Sequence, residues 1–262
     1  LPTVHYLRTL NDSKAIIAAT QTGKRAVVIG ASFIGLEVAA SLRARDISVT
    51  VVAPEALPLE RILGAELGNM VKALHESKGV TFKLGANVKS ITSDAVQLAD
   101  GSSLPADFVV VGVGVRPDVA IAREAGINVD NGVVVSATLE TSTPGVFAAG
   151  DIASWPDPRS GRIRVEHWVV AQRQGQTAAR NMLGANESFT LTPFFWSRHY
   201  DLAINYVGRS SPGDKRDVDG DPVKHDCTVR YMTSPDVMSA QADVNRDQSS
   251  LLAEARLDGE IQ

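Results

Sequence analysis

Apolar residues in this chain come in short unbroken runs separated by glycine turns and amphipathic stretches. Ala26-Val27-Val28-Ile29 is a continuous apolar run, the pattern of a parallel strand buried on both faces. A glycine turn follows, and Phe33 to Arg45 then places Ile34, Val38 and Leu42 on one helical face. Val49 to Val52 reads as the next strand, ending at Ala53-Pro54. Strand, turn, helix and strand together have the length of one βαβ unit.

The same reading extends in both directions. The chain begins extended around Val4 to Leu7 and turns helical near Ser13 to Thr20. Gly64 to Lys78 is a second amphipathic helix, and Val80 to Asp100 reads as short strands ending in the hairpin signal Asp100-Gly101. Phe108 to Val111 is another buried strand, with its turn running on to Val115 and Pro117. A short helix and a hairpin precede TSTPGVFAAGD at Thr141 to Asp151, and a long helix covers about Trp168 to Leu183. Beyond Gly184 the texture turns strand-rich, with a polar loop expected over Ser210 to Pro222. A domain boundary is placed near Glu187 to Thr192. The expected division is 1–134 (nucleotide binding, with an N-terminal connector), 135–188 (part of a second nucleotide-binding domain) and 189–262 (α+β).

Composition narrows the function classes. A formal charge of -4 over 262 residues gives no case for nucleic acid or an anionic membrane, and no apolar run approaches the roughly 20 residues of a membrane span. Cys227 is the single cysteine, so the chain holds no internal disulfide, no CxxC pair and no cysteine-rich metal site. No metal-binding residues are expected. A reducing cytoplasm fits this cysteine usage.

The chemistry is concentrated in GASFIGLE, Gly30 to Glu37. Gly30 permits a tight strand-to-helix turn, and Gly35 lets the helix pack close to the strand. Between them, the backbone at Ser32, Phe33 and Ile34 faces outward at a helix N-terminus, where amides and helix dipole suit a pyrophosphate. Ser32 stands where a glycine is usual, and its hydroxyl can itself bond a phosphate oxygen. The alternative is a purely structural glycine turn.

Two acids are candidates around that turn. Ala53 occupies the usual place of a ribose-binding acid, and Glu55 comes two residues later, either as its substitute or as a solvated loop glutamate. No basic residue lies between Val49 and Glu60, which favours NADH and leaves NADPH open. Glu37 is read on the first turn of the helix, facing the nicotinamide carboxamide, complementing the helix dipole, or both.

Four segments together support a family resemblance. GASFIGLE, TSTPGVFAAGD, VEHWVVAQRQGQTAARNML (165–183) and PFFWSRHYDLAINYVG (193–208) resemble the two-dinucleotide-binding flavoproteins. Within these, the chain is similar to the ferredoxin reductases that serve oxygenases and cytochromes P450, and to apoptosis-inducing-factor-like proteins. The resemblance implies an α/β fold: a Rossmann-type nicotinamide-binding domain, part of an FAD-binding domain and a C-terminal α+β domain. Family members begin with a further flavin-binding segment on the order of 100 residues, which is expected to lie outside this sequence.

By residue, the resemblance implies that Gly150 and Asp151 meet the ribityl chain of FAD, with Asp151 an exposed acid where a strand meets a helix. Glu166, His167 and Trp168 would lie along the flavin at the start of the long helix, and Trp196 would pack near its ring. Gly112 and Gly114 would let the nicotinamide approach. For Trp196, Phe194 and Phe195 the alternative is a place in the core. His167 and His199 are expected to be solvated or ordinarily hydrogen-bonded. No catalytic side chain is assigned, because hydride transfer between cofactors needs no protein base.

The activity implied is passage of electrons from NADH through FAD to a small iron–sulfur protein, with a homodimer among the admissible assemblies. Rival readings are a disulfide or peroxide reductase of the same superfamily, an NADH-sensing protein of the apoptosis-inducing-factor type, and a plain nucleotide-binding module.

Overall fold

The computed structural model describes residues 1–261. Packing divides the chain into two units. The first comprises Leu1–Gly114 with Ser197–Ala203 and Pro222–His225; the second comprises Val115–Trp196, Ile204–Asp221 and the chain from Asp226 onward.

The first unit begins with β1 (Val4–Tyr6), α1 (Leu10–Thr22), β2 (Arg25–Ile29), α2 (Phe33–Arg43) and β3 (Ser48–Ala53). It continues through α3 (Glu60–Ser77), β4 (Val80–Leu84), β5 (Val88–Ile91), β6 (Ala95–Leu98), β7 (Ser103–Pro105) and β8 (Phe108–Val111). Five strands make a parallel sheet in the order β1-β8-β2-β3-β4. The expected double burial is met: in β2, Val28 joins a core with Val38 and Leu42 of α2, while Val27 joins the opposite core with Val96 and Leu98 of β6. That second face is covered by the antiparallel sheet β5-β6-β7, whose hairpin turns at Asp100-Gly101 as its sequence signalled.

Two helix starts in this unit are set by specific residues. Thr9 and Asp12 form a reciprocal capping box that starts α1. In α3, Gly64 takes φ 84° and ψ 175°, a kink that separates a short first turn from the longer helical run beyond it.

The second unit holds α4 (Ala120–Glu124), β9 (Val133–Val134), β10 (Ala153–Asp157), β11 (Gly161–Ile163) and α5 (Trp168–Met182). Trp155, Leu139, Val170 and Phe189 form the centre of its core. A five-stranded sheet follows, from β12 (Phe194–His199), β13 (Leu202–Gly208), β14 (Lys215–Asp221), β15 (Asp226–Ser234) and β16 (Val237–Val244), in the order β12-β13-β16-β15-β14. The chain then forms α6 (Asp247–Leu257).

Two expectations are corrected. The polar loop over 210–222 contains β14, which pairs along its whole length with β15. It is an edge strand, exposed except at its last residue, so it lacks the period-2 apolar signal. No helix begins at Asp151; it lies half-buried in a turn that leads directly into β10.

Among the described residues no helix is long and apolar enough to cross a membrane.

Candidate functional site

The glycine turn is built from backbone packing. Gly30 ends β2 with φ 111°, a region closed to most side chains. A β-carbon there would overlap the carbonyl oxygen of Gly112, at the end of the neighbouring strand β8. A β-carbon on Gly35 would in turn overlap the carbonyl oxygen of Gly30, and Gly112 lies against the Gly35 backbone, with 3.3 Å between its ideal Cβ position and Gly35 Cα. Three glycines thus bring the start of α2 onto the ends of β2 and β8. Gly114 is needed for a different reason, its φ of 96°, and faces open space.

Ser32 is the N-cap of α2, with an exposed side chain that makes no capping hydrogen bond. Phe33 is half-buried and Ile34 is exposed. Glu55 is exposed just past β3; its backbone carbonyl accepts from Gly85 at 2.9 Å, while its carboxylate has no partner among the described residues.

Glu37 departs from its expected place. It is the fifth residue of α2, beyond the first turn, where the favourable field of a helix N-terminus has largely decayed. Its carboxylate has a specific partner instead: Ser197 Oγ donates to Glu37 Oε1 at 2.6 Å, and the Arg198 amide approaches the same oxygen at 3.4 Å. His199 Nε2 lies 3.1 Å from Ser197 Oγ, and His199 Nδ1 lies 3.1 Å from His75 Nε2. Both imidazoles are fully buried. Burial pushes the His199 pKa down to about 4; burial, then the neighbouring His199, takes His75 down to about 3.

The expectation of an ordinarily hydrogen-bonded His199 holds in that sense, but it is not solvated. His75 and Ser197 were not singled out in the sequence. The available signal for His75 was a polar residue continuing the Leu67-Val71 apolar stripe of α3 at four-residue spacing.

In the second unit, Gly150 takes φ 84°, and its amide donates to the buried Gln174 Oε1 at 2.8 Å. Arg164 Nη1 donates to the Asp151 carbonyl at 2.8 Å and to Glu166 Oε1 at 2.6 Å, so Glu166 sits in an ion pair just ahead of α5. His167 is the N-cap of α5; its Nδ1 faces the Val169 amide at 3.4 Å, and burial lowers its pKa.

Next to it lies an aromatic group. Trp196 is edge-on to Trp168 at 5.6 Å and to His167 at 5.4 Å. Trp168 is 64% exposed and Trp196 41% exposed. The core reading of Trp196 is therefore overturned, whereas Phe194 and Phe195 are half-buried.

Cys227 is fully buried, and burial pushes its thiol up to about 11, so it is held protonated and shielded from substrates. Among the described residues no cluster of three or more His, Cys, Asp or Glu side chains is arranged to hold a metal.

Residues 1–175 match the pyridine nucleotide-disulphide oxidoreductase family. The chain is 38% identical over 246 residues to the ferredoxin–NAD(+) reductase component of the anthranilate 1,2-dioxygenase system of Burkholderia cepacia, covering 92% of this chain and 61% of that protein. It is 35% identical over 226 residues to rhodocoxin reductase of Rhodococcus erythropolis, covering 84% and 53%. The reductase in a covalent putidaredoxin reductase–putidaredoxin complex superimposes with a TM-score of 0.93 at 31% identity, covering 98% of this chain and 64% of that one. The chain thus spans less than two thirds of the length of these relatives. With two thirds of its residues matched and the glycine turn formed at the ends of β2 and β8, the chain belongs to the pyridine nucleotide-disulphide oxidoreductase family.

Proposed function

We propose that this chain carries the nicotinamide-nucleotide site and flavin-contacting residues of an FAD-dependent enzyme that passes electrons from NADH to a small iron–sulfur protein. The carrying observation is the three-glycine contact among Gly30, Gly35 and Gly112, which sets the first turn of α2 at the ends of two parallel strands. Such a crevice suits a pyrophosphate, which backbone amides can approach without side chains in the way. The relatives that are ferredoxin and rhodocoxin reductases support the choice of acceptor.

Ser32 would bond a phosphate oxygen through its free hydroxyl, with Phe33 and Ile34 lining the approach. Glu55 would accept from the adenosine ribose, and the absence of a base between Val49 and Glu60 favours NADH over NADPH. Glu37 would orient the nicotinamide carboxamide, while Gly112 and Gly114 leave room for the ring.

The residues of the second unit fit a flavin on local grounds. Trp168 and Trp196 present exposed faces, which cost nothing to cover and favour a planar ring. Gly150 keeps the turn at Asp151 narrow, and Asp151 would accept from the ribityl hydroxyls. Glu166 and His167 would border the flavin at the start of α5. FAD held there would supply acceptance of a hydride and release of electrons one at a time. The protein's part is orientation and exclusion of water. The functional division runs 1–134, 135–188 and 189–262, and the enzyme works in the cytoplasm.

The test is the visible spectrum of the protein with FAD, before and after anaerobic NADH, followed by an oxidised ferredoxin-type protein. Bleaching by NADH and recovery by the iron–sulfur protein is the expected result. A spectrum unchanged by NADH would sink the proposal.

A further inference from the structure

We infer that Ser197, His199 and His75 form a one-way hydrogen-bond chain that sets the Glu37 carboxylate for the nicotinamide, which makes all three positioning residues. The inference rests on the nucleotide site proposed above. Its basis is the donor bookkeeping among four side chains of the first unit.

Glu37 Oε1 takes the Ser197 hydroxyl proton at 2.6 Å. A hydroxyl has one proton, so toward His199 the serine oxygen is left as an acceptor. His199 Nε2, 3.1 Å away, must then carry its proton and donate it. A neutral imidazole has a single N–H, so His199 Nδ1 is a lone pair. It accepts from His75 Nε2 at 3.1 Å, which makes His75 the Nε2–H tautomer as well. His75 Nδ1 is then also a lone pair. That atom is buried and has no partner among the described residues. A bare lone pair there is the less costly end to the chain, because an N–H would be a buried orphan donor. The geometry therefore admits one direction: His75 to His199 to Ser197 to Glu37.

The chain ends on a carboxylate with two unequal oxygens. Oε1 receives the serine hydroxyl and the long contact from the Arg198 amide, whereas Oε2 meets no donor among the described residues. Glu37 is half-buried, two residues beyond the glycine that docks α2 on the sheet. A glutamate side chain with one oxygen held and the other open suits a ligand N–H donor. The nicotinamide carboxamide has such a group, and ADP-ribose lacks the nicotinamide. The chain should thus act on affinity for the complete nucleotide only.

The experiment measures binding of NADH and of ADP-ribose to the full chain and to Ser197→Ala, His199→Leu and His199→Gln, with a thermal melt of each. A glutamine amide donates with its nitrogen and accepts with its oxygen, so His199→Gln preserves the direction of the chain. Losing one charge-assisted hydrogen bond corresponds to roughly tenfold in affinity. NADH is expected to weaken roughly tenfold in Ser197→Ala and His199→Leu and to recover in His199→Gln, with ADP-ribose unchanged throughout. Equal weakening of NADH and ADP-ribose, or no weakening of either, overturns the inference and leaves the nucleotide site standing. Failure of the unaltered chain to bind either nucleotide overturns both. Ring-nitrogen NMR at neutral pH gives a second readout that does not depend on any variant folding. Both histidines are expected as neutral Nε2–H tautomers, and a Nδ1–H signature at either one overturns the inference.

Discussion

Gly35 packs on Gly30 so closely that the β-carbon it lacks would overlap the Gly30 carbonyl oxygen. Alanine at a helical position ordinarily gains about 1 kcal/mol over glycine. Here the obstacle is backbone, which cannot rotate away, and overpacking of that kind costs typically about 1–3 kcal/mol or more. Gly35→Ala is therefore expected to lower stability despite its better helix propensity, and to weaken NADH binding. Chemical denaturation beside nucleotide titration checks this; a more stable variant would show that α2 does not rest on the sheet through this contact.

Stability should fall in mild acid because of His75 and His199. Their folded pKa values of about 3 and about 4 lie below the ordinary 6.5. Below pH 6.5 the unfolded chain takes up protons that the folded chain refuses. The contribution is complete above that pH and is lost as pH falls toward about 4 for His199 and about 3 for His75. Each histidine contributes a slope of up to about 1.4 kcal/mol per pH unit within its window. Urea midpoints between neutral pH and mild acid should show this slope, and a double His75→Leu, His199→Leu variant should show a shallower one. Parallel profiles for the two proteins would contradict the neutral, buried pair.

Trp168 and Trp196 separate binding from packing. Because both are well exposed, truncating either to alanine is expected to change stability by no more than about 0.5 kcal/mol. Flavin affinity, read from the visible band on titration with FAD, should nevertheless drop roughly tenfold for Trp196→Ala, in line with the loss of one aromatic contact. Unchanged flavin affinity would assign the pair to another surface role.

Glu55 offers a clean comparison because its exposed carboxylate binds nothing among the described residues. Glu55→Ala should leave the melting temperature in place while weakening NADH several-fold, as loss of a ribose hydrogen bond implies. Identical NADH dissociation constants would return Glu55 to the solvated-loop reading.

The first unit was largely legible along the chain because its determinants are local. Strands buried on both faces must be apolar throughout, and Ala26 to Ile29 and Phe108 to Val111 are. A backbone turn with positive φ calls for glycine, and Gly30 stands where the strand must end. Where those pressures are absent, the reading failed. β14 is an edge strand with polar residues on both faces, so its ladder to β15 has no counterpart in hydropathy. Asp151 looked like the start of a helix, yet the turn there is followed by a strand whose core partners, such as Val133 and Phe189, are distant in sequence.

By itself, then, the sequence determined the parallel βαβ framework, the glycine turn and the family, since each rests on residue types at short, regular spacing. Only the tertiary structure decided the hydrogen-bond partners of Glu37, His75 and His199. Glu37 and Ser197 are 160 positions apart, and His75 and His199 are 124 apart. Glu37 read as carboxamide-facing or helix-dipole chemistry, His199 as solvated or ordinarily hydrogen-bonded, and His75 and Ser197 gave no reading, because no local pattern records which distant side chain will share a buried site. Burial then imposes what solution does not: each polar atom must find a partner or remain a bare lone pair, and that requirement orients the whole chain of hydrogen bonds toward one carboxylate.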